Sequence, residues 1–208
     1  MPKLKLVIFD CDGVMFDSRY ANREYYNHML EKFGQPLMDR QAEDYVHSHN
    51  VMDAVDFIFR NNPQLIAEVH NYRQTVDYTP FLEYMVIEPD LKEFLGFLKP
   101  KFHTAISTNR SATMPAVMHM YDLAPFFDIV VTALDVAKPK PHTEGLIRIL
   151  EHFDLSAAEA VYIGDSMVDR EHTAGVDMRL ISFKNPDLPA EFYVNSFLEI
   201  PRLSIFQE

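Results

Sequence analysis

The chain has 208 residues, of which 48% are hydrophobic and 24% are charged, and its formal net charge is −12. These values are typical of a globular protein with one domain, or with one domain that carries a large insertion. The acidic balance argues against nucleic acids and acidic membranes as partners, because both need clustered lysine and arginine. No apolar run reaches the roughly 18 residues of a membrane span, and the first residues do not resemble a signal peptide, so we expect a cytoplasmic protein. The single cysteine, Cys11, excludes an internal disulfide and a cysteine-based metal site.

The first third of the chain changes from a strand pattern to a helical pattern. Residues 4–9 are apolar and rich in β-favouring side chains, which predicts a buried strand that ends at Asp10. From Ser18 onwards, apolar residues recur at helical spacing until Gly34, and the helical pattern continues to about Pro80. The further helices predicted in this stretch cover residues 40–47, 51–59 and 64–78.

After Pro80 the pattern alternates between helices and strands. The predicted helices cover residues 90–98, 112–120 and 143–152, and the predicted strands cover residues 102–107, 127–132, 160–163, 179–183 and 192–194. Such alternation favours a mostly parallel sheet with helices on both faces. Because the helical stretch interrupts this series after its first strand, we predict an α/β core from residues 1–17 and 81–208. Residues 18–80 then form an inserted, all-helical cap.

Polar side chains follow several of the predicted strands. Asp10 and Asp12 follow the first strand, Thr108 and Asn109 follow another, and Asp165 follows a third. In open α/β sheets, ligands bind beyond the carboxyl ends of the strands, so these side chains are expected to converge. Acids that converge repel one another, and a hard cation such as Mg²⁺ would compensate their charge.

The types of these residues suit phosphate chemistry. Asp10 and Asp12 point the same way in an extended chain, so one can stay ionised while the other exchanges a proton. Lys138 lies in a proline-stiffened loop, where its ammonium would bind a phosphate, although Lys140 is a competing candidate. Thr108 offers a hydroxyl, for which Ser107 is the alternative. Asn109 opens a loop into a helix whose N-terminal amides favour anions.

Four segments in this order resemble the signatures of the haloacid dehalogenase-like hydrolase superfamily. They are residues 10–17 (Asp-Cys-Asp-Gly-Val-Met-Phe-Asp), residues 106–109 (Ile-Ser-Thr-Asn), residues 138–141 (Lys-Pro-Lys-Pro) and residues 164–169 (Gly-Asp-Ser-Met-Val-Asp). Each segment alone is a weak signal, whereas all four in order are specific. The helical insertion resembles the cap of the phosphoglycolate phosphatase and β-phosphoglucomutase branch. The resemblance implies a Rossmann-like core in which the cap selects the substrate.

The resemblance also implies a reaction. Asp10 would attack phosphorus and form an aspartyl-phosphate, while Asp12 would protonate the leaving oxygen and later activate water. Thr108, Asn109 and Lys138 would bind the phosphoryl oxygens. True dehalogenases lack an acid at the place of Asp12, which favours phosphate chemistry over carbon–halogen cleavage.

The metal ligands implied by the resemblance are Asp10, the backbone carbonyl of Asp12, Asp165 and Asp169, with Mg²⁺ as the cofactor. Asp169 would be a direct ligand or would orient one. The chain departs from the family pattern after Asp169, because residues 170–173 lead directly to an Ala-Gly pair and are about two residues short. This departure puts the helix after Asp169 in doubt.

These observations predict a phosphoric monoester hydrolase, similar to phosphoglycolate phosphatases, that acts on a small phosphorylated metabolite as a monomer or homodimer. The alternative is a phosphosugar mutase of the same fold, and a non-catalytic binding protein is a third reading. His47 and His49 invite a zinc reading, but surface or substrate-facing roles in the cap fit two isolated histidines better. Cys11 is predicted to be a small core residue.

Overall fold

The computed structural model describes residues 2–49 and 51–207 and divides into two compact units. One unit comprises Met1–Asp17 and Ile87–Glu208, and the other comprises Ser18–Val86. The second crossing between the units therefore lies at residues 86 and 87 rather than at residue 80. The chain beyond residue 80 still belongs to the helical unit because Thr79–Tyr84 forms a further 3₁₀ helix.

The larger unit contains the predicted parallel sheet. The strands of the described chain are β1 (Leu6–Phe9), β2 (Phe16–Asp17), β3 (Val86–Ile87), β4 (His103–Ser107), β5 (Ile129–Val131), β6 (Ala160–Gly164), β7 (Arg179–Phe183) and β8 (Phe192–Val194). The sheet has the order β5-β4-β1-β6-β7-β8, and each neighbouring pair is parallel. The carboxyl ends of β1, β4 and β6 therefore meet at one edge in the middle of the sheet.

Helices cover both faces of the sheet, as the alternation of elements predicts. The helices of the described chain are α1 (Arg19–Lys32), α2 (Arg40–Ser48), α3 (Val51–Ile58), α4 (Ile66–Arg73), α5 (Leu91–Leu98), α6 (Met114–Met120), α7 (Glu144–Phe153) and α8 (Met167–Ala174). On one face, Leu6 and Ile8 pack with Leu146 of α7. On the other face, Phe9 packs against Phe94 of α5. This division follows from the two-residue side-chain period of a strand.

The smaller unit is a helical bundle with its own core. Tyr25 and Met29 of α1 pack with Val55 of α3 and Val69 of α4, all of which are buried. The helix predicted at residues 64–78 is shorter in the structure. Its α-helical part ends at Arg73 because polar side chains beyond it bind nearby backbone groups, as in the hydrogen bond from Thr75 Oγ1 to the Tyr72 carbonyl. Among the described residues, no helix combines the length and the apolar character that crossing a bilayer requires.

Candidate active site

The acids predicted to converge lie together at the carboxyl edge of the sheet. Asp10 follows β1 and Asp165 follows β6, and these strands are neighbours. Ligand oxygens of Asp10, Asp165 and Asp169 all lie within 4.8 Å of one another. Gly13 makes this approach possible, because a Cβ atom there would lie 2.1 Å from Oδ2 of Asp165. The positive φ of Gly13, +80°, is a second reason why this turn requires glycine.

Lys140 is the cation at the centre of this cluster. Its Nζ lies 2.8 Å from Oδ1 of Asp10 and 2.7 Å from Oδ1 of Asp169, and its side chain is 5% exposed. The Cys11 amide donates a second hydrogen bond, of 2.7 Å, to the same Asp10 oxygen. Two donors thus fix one oxygen of the Asp10 carboxylate.

The structure does not support the prediction that Lys138 binds phosphate at this edge. Lys138 is exposed, and its amide donates to Oε2 of Glu144, as the Ala137 amide does to Oε1. These two bonds to the first turn of α7 keep Lys138 at the surface. Lys140, the competing candidate, is the lysine that lies in the cluster.

Asp169 is fully buried, and both of its carboxylate oxygens have protein partners. Oδ1 accepts from Lys140, and Oδ2 accepts from the Ser166 hydroxyl at 2.8 Å and from the amides of Ser166 and Asp165 at 3.2 Å each. Ser166 and Asp169 form a capping box at the start of α8. The helix that the shortened segment put in doubt is therefore present. These bonds favour Asp169 as the residue that orients Lys140.

Tyr162 is a site residue that the sequence reasoning missed, because residues 160–163 read only as a buried strand. Its hydroxyl accepts from Lys140 Nζ at 3.0 Å and lies 2.7 Å from the carbonyl oxygen of Ser107. The side chain is fully buried, and burial raises the pKa of its phenol well above the usual value. The one available signal was the hydroxyl itself, since a buried tyrosine needs a hydrogen-bond partner.

Asp12 forms an ion pair with Arg110. Nη2 of Arg110 lies 2.5 Å from Oδ1 of Asp12, and Nε donates to Oδ2 at 3.1 Å. The Arg110 side chain is 6% exposed, whereas that of Asp12 is 33% exposed. The sequence offered Arg110 only as one of several arginines, and it gave no sign of this fork.

The polar residues at the end of β4 and directly after it have different hydrogen-bond partners. Oγ of Ser107 lies 3.1 Å from Nε2 of His172, and Nδ1 of His172 donates to the His142 carbonyl. The Ser107 hydroxyl is therefore hydrogen-bonded to His172 within the protein interior. Burial lowers the pKa of His172 to about 4, which keeps it neutral. Thr108 is buried and its Oγ1 accepts from the Arg110 amide. Asn109 is exposed, and its side chain donates to the Lys140 carbonyl at 3.0 Å.

The cluster carries an excess of negative charge that a divalent cation would offset. Asp10, Asp12, Asp165 and Asp169 outnumber Lys140 and Arg110, a net charge of −2 when all six side chains are ionised. Burial and the charges of Asp10 and Asp169 raise the pKa of Asp165 to about 8. Burial likewise raises the pKa of Asp10 to about 7, against the opposing effect of Lys140. A hard cation with oxygen ligands would offset this repulsion, so the donors fit Mg²⁺.

Neither histidine of the zinc reading belongs to this group. Within the described residues, the group with metal-ligand geometry consists of the three acids, and His47 and His49 are outside it. His49 stacks on Tyr45 at 3.7 Å between ring centroids. Cys11 is fully buried, as expected of a core residue, and burial raises the pKa of its thiol well above the usual value.

The sequence-family comparison decides the family. The model of the haloacid dehalogenase-like hydrolases matches residues 7–182. The chain belongs to that family. A solved haloacid dehalogenase-superfamily hydrolase of subfamily IA from Geobacter sulfurreducens is 34% identical, with a TM-score of 0.83, covering 96% of this chain and 95% of that one.

Curated relatives of this hydrolase carry phosphatase names. A phosphorylated carbohydrates phosphatase from Thermotoga maritima is 26% identical over 84% of this chain and 83% of its own length. A phosphoglycolate phosphatase from Vibrio cholerae is 27% identical over 81% of this chain and 79% of its own length. Both alignments extend across most of each chain.

Proposed function

We propose that this hydrolase is a Mg²⁺-dependent phosphatase that cleaves a small phosphorylated metabolite through an aspartyl-phosphate at Asp10. The observation that carries the proposal is the buried contact of Asp10 with Lys140. Ligand oxygens of Asp10, Asp165 and Asp169 also lie within 4.8 Å of one another. A carboxylate fixed beside a cation and a second pair of acids is suited to in-line attack on a phosphoryl group. The phosphatase names of the curated relatives support the same reaction.

The residues divide the work of two steps. In the first, an Asp10 oxygen forms a bond to phosphorus while the ester P–O bond breaks, and Asp12 gives its proton to the leaving oxygen. In the second, water attacks phosphorus, its proton goes to Asp12, and Asp10 regains its carboxylate as phosphate leaves. Lys140 and the hydroxyl of Thr108 would bind phosphoryl oxygens, and the Asn109 bond to the Lys140 carbonyl holds the two loops together.

The metal site would use Asp10, Asp165 and the backbone carbonyl of Asp12. Bound Mg²⁺ would neutralise charge on the phosphoryl group. Asp169 is assigned the positioning of Lys140, because its oxygens already accept from Lys140 and from the start of α8. This ligand set is supported by the neighbouring carboxyl ends of β1 and β6, which Asp10 and Asp165 follow.

The direct test is release of phosphate from p-nitrophenyl phosphate with Mg²⁺ and after chelation. We expect turnover only with the metal, and a loss of about 10⁴-fold or more in Asp10→Asn, because the nucleophile is removed. Asp154→Asn is the matched control. Asp154 is exposed and has φ +53°, a conformation that asparagine adopts readily. Full activity in Asp10→Asn would refute the assignment of the nucleophile.

A hexose 1-phosphate distinguishes this proposal from its alternatives. Hydrolysis to free phosphate supports the phosphatase, whereas isomerisation without net release of phosphate would identify a phosphosugar mutase. Slow turnover of every compound in a broad panel of phosphate esters would favour the non-catalytic binding protein.

Substrate choice is assigned to the helical unit, since the residues around Asp10 recognise only the phosphoryl group and the metal. Arg40→Ala and His47→Ala are expected to change the ratio of kcat/KM among metabolites by about tenfold while p-nitrophenyl phosphate turnover stays within about threefold. Arg60 is a weaker candidate, because its guanidinium lies 4.0 Å from the Phe57 ring centroid. Unchanged ratios in both variants would place the specificity contacts elsewhere.

A further inference from the structure

Arg110 makes more hydrogen bonds to Asp12, the proposed acid–base residue, than an ordinary surface ion pair does. Its Nε and Nη2 engage the two oxygens of Asp12, and Nη1 donates to Thr113 Oγ1 at 3.1 Å. Its own amide donates to Thr108 Oγ1, which fixes the backbone beside the guanidinium. A two-point fork from an enclosed guanidinium restricts the position of a carboxylate much more than a single contact does.

The side chains of Arg110 and Asp12 differ in their exposure to solvent. The guanidinium of Arg110 is almost enclosed, with 6% of its side chain exposed, while a third of the Asp12 side chain remains open. Arg110 therefore lies on the buried side of the carboxylate, while the exposed third of the Asp12 side chain is open to solvent. Among the described residues, Asp12 is also outside the group of acids with metal-ligand geometry, so its carboxylate remains a candidate for proton transfer.

We propose that Arg110 is a positioning residue that holds Asp12 where it can exchange a proton with the leaving oxygen and then with water. This inference rests on the proposed function, in which Asp12 is the proton carrier. Because β1 and β4 are neighbours in the sheet, the residues that follow them bring Asp12 and Arg110 into contact from distant parts of the sequence. The fork then restricts Asp12 before substrate binds, which reduces the reorganisation required during reaction.

Two kinetic measurements on p-nitrophenyl phosphate separate positioning from a structural role. With enzyme in excess, release of p-nitrophenol reports the first step, in which this leaving group needs little help from an acid. Steady-state turnover also includes the attack of water, which needs Asp12 as a base. In Arg110→Met we expect the single-turnover rate to stay within about threefold of wild type and steady-state kcat to fall by about 10- to 100-fold.

The Asp12→Asn variant makes the test specific. It should show the same pattern as Arg110→Met, and the double variant should fall less than about threefold below Asp12→Asn alone, because Arg110 acts only through Asp12. Arg110→Lys keeps the charge without the fork, so we expect partial recovery of kcat. Arg148→Met is the matched control. Arg148 is exposed, donates to the Asp135 carbonyl, and should leave both rates unchanged.

The outcomes are distinguishable from one another. Equal losses in both rates of Arg110→Met and Arg110→Lys, or losses that multiply with those of Asp12→Asn, would overturn the positioning role. Wild-type enzyme that releases no phosphate from any ester in the presence of Mg²⁺ would instead overturn the proposed function. Circular dichroism and thermal unfolding establish that each variant is folded before its rates are compared.

Discussion

Lys140 compensates two buried carboxylates at once, and this arrangement gives it a structural task in addition to the catalytic one proposed for it. Removing one partner of a buried ion pair leaves an uncompensated charge, which costs about 3–5 kcal/mol of stability. The charges of Asp10 and Asp169 also raise the pKa of Lys140 against the effect of burial, so it stays protonated. A permanently charged ammonium beside the proposed nucleophile suits the binding of a phosphoryl oxygen.

Lys140→Met and Lys138→Met form a matched pair of variants two residues apart. We expect Lys140→Met to lose about 100-fold or more in kcat, because a preorganised charge is removed from the reacting centre, and to melt at a lower temperature. Lys138→Met should match wild type in both measurements, since this side chain is exposed. Assays of phosphate release well below each melting temperature separate the two effects. A large loss in Lys138→Met would contradict the placement of Lys140.

The site residues differ in how far the sequence alone could identify them. Asp10, Asp12 and Asp165 could be predicted because each follows a strand, whereas Asp169 came only from the family resemblance. The choice between Lys138 and Lys140 could not, because both precede prolines in one short loop, and the contact of Glu144 with the Lys138 amide decides it. Arg110 meets its partner only through the folded sheet, so no local pattern reveals the contact.

The junction between β6 and α8 is the element on which the placement of Asp169 depends. Gly164 ends β6, and a Cβ atom there would lie 2.6 Å from Cβ of Asp169 and 2.8 Å from its Cγ. The first turn of α8 therefore packs directly on the strand backbone. This close approach, together with the capping box, directs the Asp169 carboxylate towards Lys140.

Gly164→Ala and Gly96→Ala should change stability in opposite directions. Overpacking at Gly164 is expected to cost about 1–3 kcal/mol and to reduce kcat by displacing Asp169. Gly96 lies on the exposed side of α5 with nothing within 4 Å of an added Cβ, so alanine should stabilise by about 1 kcal/mol. Both positions belong to one unit, and urea unfolding monitored by circular dichroism compares them directly. A stable, fully active Gly164→Ala would contradict the packing argument.

Element types were more predictable than element lengths. The strand at residues 179–183 and the edge strand at 192–194 agree with their predicted bounds, because short β-favouring runs end at clear turn residues. The helix predicted at residues 64–78 was too long. The periodicity of apolar residues gives no sign that Thr75 donates a hydrogen bond to the Tyr72 carbonyl and so helps to end the helix.

At the scale of the whole molecule, a chain with net charge −12 also concentrates four acids at one edge of its sheet. A cation that binds only the folded state stabilises it in proportion to the logarithm of its concentration. At about 100 times its dissociation constant, Mg²⁺ should add about 2.7 kcal/mol to the free energy of unfolding.

Thermal unfolding over a Mg²⁺ titration tests this expectation. The melting temperature of wild type should rise with Mg²⁺, and that of Asp165→Asn should not, because one of the proposed ligands is lost. Without metal, Asp165→Asn should melt at or above the wild-type temperature, since it removes one of the mutually repelling charges. Asp154→Asn should respond as wild type does. An equal Mg²⁺ response in Asp165→Asn would show that the cation acts at another site.

The fold class followed from the alternation of strands and helices, and the parallel six-stranded sheet confirms it. The second crossing between the units was six residues from its predicted place, because the helical pattern gave no reason to include residues 79–84 with the helical unit. Strand order could not be read from the sequence, since it depends on pairings between distant segments.

The position of β1 in the middle of the sheet has a consequence for synthesis of the protein. Leu6 pairs with His103 on one side and with Ala160 on the other, so the strand that leads to Asp10 is made first and acquires its neighbours much later. Pairings between such distant segments form slowly, because closing a long loop costs conformational entropy before the strands gain their contacts. A nascent chain on the ribosome therefore carries Asp10, the proposed nucleophile, without the neighbouring strands of its site until most of the polypeptide has emerged.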